Sequence, residues 1–140
     1  LSKFLAIDYG SRKVGIAISD LSKTLAREYT CIRHNDNINE VIGQIKKIVI
    51  DEEIERIILG LPLNMDGTHG FQADEVVVFQ NQLAALAIPI VLVDERRSSV
   101  QAQNNLRLIK VKKRKIADHE DARAAMNFLQ DYLSRPIPIT

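Results

Sequence analysis

Acids stand at three places in this chain where an acid needs a physical reason. Asp8 follows the apolar run Leu5-Ala6-Ile7, and Asp94 and Glu95 follow Ile90-Val91-Leu92-Val93. Asp121 lies four residues before Ala125, on a stretch of helical periodicity that continues through Phe128, Leu129 and Tyr132. A carboxylate ending an apolar strand is costly unless it is paired, hydrogen-bonded or bound to a cation. Hard divalent ions prefer such oxygen ligands. Two of these ions, roughly 3.5–4 Å apart, activate a water and stabilise the leaving oxygen of a phosphodiester. Carboxylates from two strand ends and one helix would therefore suit hydrolysis dependent on one or two Mg²⁺ or Mn²⁺ ions. Plainer roles exist for each acid. Asp8 could cap the Tyr9-Gly10 turn, and Asp94 could cap a helix or occupy a solvated corner. Asp118 suits an N-cap or first-turn position. Strand alternation sends Asp94 and Glu95 to opposite faces, so one of the two reaches a site.

Other chemistries find less support. His34, His69 and His119 lack metal-ligand spacing, and Cys31 sits within an apolar strand. Ser98-Ser99 reads as a helix start, and neither a Walker A loop nor a G-x-G-x-x-G loop occurs. The net charge is only +1, yet Arg107, Lys110, Lys112, Lys113, Arg114 and Lys115 crowd one segment that has no acid among them. The remainder is acidic. Such a segment suits a polyanion, or else is a solvated loop too charged to pack.

The elements that must position these groups follow from periodicity. Phe4–Asp8, Val14–Ser19 and Thr24–Ile32 read as strands of an antiparallel meander, with Gly10 free to take positive φ in the first turn. Ile38, Val41, Ile42, Ile45, Ile48 and Val49 recur at helical spacing after the capping residues between Asn35 and Asn39. Arg56–Leu61 and Pro89–Val93 read as buried strands. Helices are predicted over Phe71–Ala87, Ser98–Leu108 and His119–Leu133, and a loop over Leu63–Gly70. The order β-β-β-α-β-α-β-α-α implies an α/β fold, a mixed five-stranded sheet flanked by helices. At 140 residues, of which 46% are hydrophobic and 26% charged, the chain is expected to form one domain over 1–140. No apolar run reaches the ~20 residues of a membrane span. The start does not read as a signal peptide, and a lone cysteine suits a reducing cytoplasm.

Four segments together resemble the YqgF/RuvX family. They are Ala6-Ile7-Asp8-Tyr9-Gly10-Ser11-Arg12-Lys13-Val14-Gly15-Ile16-Ala17-Ile18-Ser19-Asp20, Gly60-Leu61-Pro62-Leu63-Asn64-Met65-Asp66-Gly67-Thr68, Asp94-Glu95-Arg96-Arg97-Ser98-Ser99, and Lys115 to Ala125. The resemblance implies an RNase H-like fold and a nuclease linked to 5′-end processing of precursor 16S rRNA or to resolving Holliday junctions. It carries the metal-binding catalytic acids onto Asp8, Glu95 and Asp121. Asp-x-x-Ala-Ala fits Asp121-Ala122-Arg123-Ala124-Ala125 and does not fit Asp118. Arg123 departs from the family's often apolar residue, putting a long cation where it affects packing or phosphate contact.

Within this reading Arg12, Lys13, Lys110, Lys112, Lys113, Arg114 and Lys115 would contact nucleic acid, and Arg96 would hold backbone or pair with an acid. Asn64 and Thr68 would shape a groove or serve only their loop. Precursor rRNA or branched DNA is the expected partner, with ribosomal particles beside it, no membrane, and a monomer or weak homodimer. Two other classes compete: an actin-like ATPase, which needs a second lobe, and a non-catalytic RNA-binding ribosome-assembly factor.

Overall fold

The computed structural model describes residues 2–10, 12–35, 37–62, 66, 70–94 and 113–134, with backbone only for residues 71 and 113–121. Three strands come first: β1 (Lys3–Tyr9), β2 (Lys13–Ser19) and β3 (Ala26–Arg33). Helix α1 (Ile38–Asp51), β4 (Ile54–Leu61), α2 (Phe71–Leu83), a 3-10 turn (Ala84–Leu86), β5 (Ile90–Asp94) and a long helix α3 (Lys113–Ser134) follow. The third helix expected from the sequence, Ser98–Leu108, lies outside the described residues. None of the described helices is long and apolar enough to cross a membrane.

The sheet runs β3-β2-β1-β4-β5. β1 pairs antiparallel with β2 and parallel with β4, which pairs parallel with β5. Helices α1 and α2 each make a parallel crossover and cover one face. There Val41 and Ile45 of α1 and Val76, Phe79 and Leu83 of α2 pack on Leu5, Ile7, Ile16, Ile57 and Leu59. α3 covers the other face, with Ala125, Phe128 and Leu129 against Phe4, Ala6, Ala17 and Ile58. The period-two geometry of a strand thus divides the apolar runs of β1, β2 and β4 between two cores.

Local chemistry explains the ends of the elements. The Asn37 side chain accepts a bond from the Glu40 N–H at 3.2 Å, capping α1 where the sequence places its start. α3 begins six residues before the expected His119 and takes in Lys113, Arg114 and Lys115. Lys and Arg are good helix formers whatever their charge, so these three are helical rather than a loop. Asp118 consequently falls in the second turn and is not an N-cap. Gly10 is also corrected. Its φ is not in the left-handed region; instead its N–H bonds the Lys13 carbonyl at 2.9 Å, and a Cβ there would sit 2.7 Å from that oxygen.

Two glycine variants test this account. Gly10→Ala is expected to lose about 1–3 kcal/mol, as overpacking against a fixed backbone does. Gly43→Ala, in open space on the exposed side of α1, is expected to gain about 0.5–1 kcal/mol from helix propensity. Urea denaturation reads both; equal effects would show that the turn yields freely.

Candidate active site

Asp8 is the next-to-last residue of β1, half-buried and engaged within the chain. Ile7 and Tyr9 belong to the core under α1 and α2, while Ala6 belongs to the core under α3. Alternation therefore turns Asp8 to the α3 face. Its neighbours across the sheet are glycines. Gly15 of β2 is its register partner, and Gly60 of β4 stands one residue beyond the last β1–β4 pair, Ile7↔Leu59. Neither places a side chain on that face, so Asp8 projects from a bare strip of backbone. Turn closure beside it is made by the Gly10–Lys13 backbone bond.

α3 comes close to this strip because small residues meet. Ala122 and Ala125 are buried, and Ala125 packs in the core that holds Ala6 and Ala17. Asp121 lies one helical turn before Ala125 along α3. Polar contacts fix the helix on the sheet. Arg123 Nε donates to Glu28 Oε1 on β3 at 3.1 Å, and the Gln130 side chain accepts from Ala26 N–H at 2.9 Å while donating to the Thr24 carbonyl at 3.0 Å. At the far end, Arg56 donates to the Tyr132 hydroxyl at 2.9 Å. Arg123 is thus a packing residue tied to β3.

At the end of β5, Val93 is buried on the α3 side, so Asp94 turns to the other face and is not on the face of Asp8. Glu95, Arg96, Asn64, Thr68, Arg107, Lys110 and Lys112 lie outside the described residues. Among the described residues no three His, Cys, Asp or Glu side chains form a metal-holding group. Arg12 is exposed at the β1–β2 turn and Lys13 opens β2. Lys113, Arg114 and Lys115 form the first turn of α3.

The family model described as RuvX, Holliday junction resolvase, matches residues 2–135. A protein of Chloroflexus aggregans is 41% identical over 130 residues, covering 92% of this chain and 91% of its own length. One of Thermoanaerobacter pseudethanolicus is 39% identical over 133 residues, covering 94% and 95%. The names of both provisionally assign pre-16S rRNA nuclease activity. Among solved structures, T. thermophilus RuvC in complex with a Holliday junction substrate superposes with a TM-score of 0.63 at 10% identity, over 95% of this chain and 94% of that one. Fowlpox virus resolvase in complex with Holliday junction DNA gives 0.54 at 11%, over 94% and 96%. At such identities the likeness is one of fold, and that fold is RNase H-like.

The sequence pattern alone misses His34. It is buried, with its backbone N–H on the Arg12 carbonyl and its ring Nε2 on the Gly10 carbonyl, both at 2.9 Å. A carbonyl only accepts, so Nε2 carries a proton. Tyr9 stacks between the His34 and Phe79 rings, at 5.8 and 4.2 Å between centroids. His34 therefore holds the turn that follows Asp8. His34→Phe keeps an aromatic ring and removes the donor. It is expected to cost about 0.5–1.5 kcal/mol, one net hydrogen bond, and to speed amide exchange at Gly10 and Lys13. Unchanged exchange would show that the turn holds without the imidazole.

Proposed function

The chain belongs to the RuvX family of RNase H-like nucleases, and on that premise we propose that Asp8, Glu95 and Asp121 hold one or two Mg²⁺ or Mn²⁺ ions for cleavage at the 5′ end of precursor 16S rRNA. The observation that carries this reading is the setting of Asp8. A half-buried carboxylate stands between Gly15 and Gly60, on the face that Ala125, Phe128 and Leu129 of α3 cover. The all-oxygen donor set and the side-chain-free strip fit a hard divalent ion. When bound, such an ion supplies activation of water and charge stabilisation at a phosphodiester.

The chain's own residues do the positioning. Asp8 is held on a strand paired on both sides, so its carboxylate has little backbone freedom. Asp94 faces away from Asp8, and Glu95 is the acid of that pair that the family resemblance implies. Arg12 and Lys13 beside Asp8, and the cations that open α3, would take the backbone phosphates. Such contacts orient a strand without reading its sequence.

The rRNA substrate rests on relatives at 39% and 41% identity whose names carry it. Cleavage of four-way DNA junctions is the second reading, favoured by the family's description and by the fold shared with junction-bound RuvC. A resolvase acts as a symmetric pair on a two-fold substrate.

The test is Mn²⁺-dependent cleavage of precursor 16S rRNA, of unstructured RNA and of a four-way DNA junction, with Asp8→Asn beside wild type. Loss of several kcal/mol of transition-state stabilisation corresponds to a drop of about a hundredfold or more. Undiminished cleavage by Asp8→Asn refutes the metal site. Faster cleavage of the junction selects the second reading, and RNA binding without cleavage would make the chain an assembly factor. Charge reversal across Lys112 to Lys115 is expected to weaken RNA binding and flatten its salt dependence. Unchanged affinity would reduce that segment to a solvated surface.

A further inference from the structure

The register pairing of β1 with β4 ends at Ile7↔Leu59, whereas its pairing with β2 runs on through Asp8↔Gly15 and Tyr9↔Val14. Beyond Ile7 the strand is therefore held through β2 and through the turn that joins the two. Gly15 offers no side chain against which Asp8 could rest. The placement of the Asp8 carboxylate then depends on how firmly that turn is held.

The β2–β3 loop is closed by its own side chains. Asp20 Oδ1 accepts from the Thr24 and Leu25 N–H groups at 2.8 and 3.2 Å, and the Ser22 hydroxyl donates to Thr24 Oγ1 at 3.0 Å. The β1–β2 turn is braced from a third strand. His34, which directly follows β3, gives its backbone N–H to the Arg12 carbonyl and its ring Nε2–H to the Gly10 carbonyl. The imidazole is only 6% exposed, and its Nδ1 is buried with no hydrogen-bond partner. Among the described residues, Gly10 is thus the ring's one hydrogen-bond partner. The ring also stacks on Tyr9, the residue between Asp8 and Gly10, and Tyr9 stacks in turn on Phe79 of α2. One side chain therefore holds both residues that follow Asp8, Gly10 by a hydrogen bond and Tyr9 by stacking.

We propose that His34 is a positioning residue for the metal site. Its Nε2–H bond to Gly10 keeps the end of β1 in the place from which the Asp8 carboxylate ligates a divalent ion. This role rests on the reading of Asp8 as a metal ligand and adds the residue that steadies that ligand. His34 acts through the backbone of Tyr9 and Gly10, not by contact with the ion or the substrate. Metal affinity depends on such outer supports, because a ligand that is free to wander must be ordered again on binding.

Mn²⁺ binding to the full chain without nucleic acid, measured by isothermal titration calorimetry, tests this role apart from cleavage. His34→Phe keeps a stacking ring and removes the donor. Its Mn²⁺ dissociation constant should rise about tenfold, the lower end of what the loss of an outer-shell partner costs. His34→Asn, whose amide ends at the position of the ring Nδ1, should do the same. His34→Gln, whose amide reaches the position of Nε2 and donates from there, should bind within about twofold of wild type. Tyr132→Phe removes the Arg56–Tyr132 bond at the far end of the sheet and should leave Mn²⁺ affinity unchanged, which separates positioning from a general loss of stability. Wild-type affinity in His34→Phe, or a Gln variant as weak as the Phe variant, overturns the proposal. So does a Tyr132→Phe variant that loses as much affinity as His34→Phe. Each of these outcomes leaves the metal site standing. An Asp8→Asn variant that binds Mn²⁺ as tightly as wild type removes the metal site, and the role of His34 with it.

Discussion

β1 is paired on both sides, antiparallel to β2 and parallel to β4, and that double pairing governs what the rest of the molecule can do. A strand held along both edges has almost no freedom to shift, so a residue near its end is fixed in both position and face. Asp8 inherits that fixity. A glycine on either side keeps the surrounding surface low, and the residues before it are buried. A carboxylate in such a place is expensive to maintain without a cation or hydrogen-bond donors. The arrangement is one that suits a metal-dependent nuclease.

The two faces of the sheet are built for different tasks. Under α1 and α2 the large side chains Ile7, Ile16, Leu59, Phe79 and Leu83 interdigitate, supplying most of the apolar burial. Under α3 the sheet offers Ala6, Ala17 and Gly15 toward the Asp8 end, and the larger Phe4 only toward the far end, where Phe128 of α3 packs. α3 is therefore close to the sheet toward the Asp8 end. Its polar ties to β3 and β4, through Arg123, Gln130 and Arg56, add to its apolar packing in opposing rotation or sliding of the helix.

Charge is divided along the strands in a similar way. At the start of β1, the Lys3 ammonium, followed by the Tyr29 hydroxyl, holds the Glu52 carboxyl below the usual carboxylate range despite partial burial. At the opposite end Lys13 and Arg33 are register partners, and each engages another group of the protein.

Much of this was legible in the sequence, because it depends on periodicity and local chemistry. The apolar runs Leu5-Ala6-Ile7 and Ile90-Val91-Leu92-Val93 identify the strands that end in Asp8 and Asp94. The phase of Ala125, Phe128 and Leu129 sets the inner side of the last helix, and the capping residues between Asn35 and Asn39 mark the start of the first. What required the tertiary structure were contacts between residues far apart in the chain. Gly15 and Gly60 are unremarkable members of apolar runs until pairing places them on either side of Asp8. His34 has no motif, and its role comes from a turn some twenty residues earlier reaching its ring. Arg33 faces Lys13 only because β2 and β3 pair in one particular register. Arg123 stands out in the sequence as an unusual cation, but only folding brings Glu28 to it. Asp8 could be marked as a candidate acid by its place in the sequence; the bare strip of backbone around it exists only once three strands lie side by side.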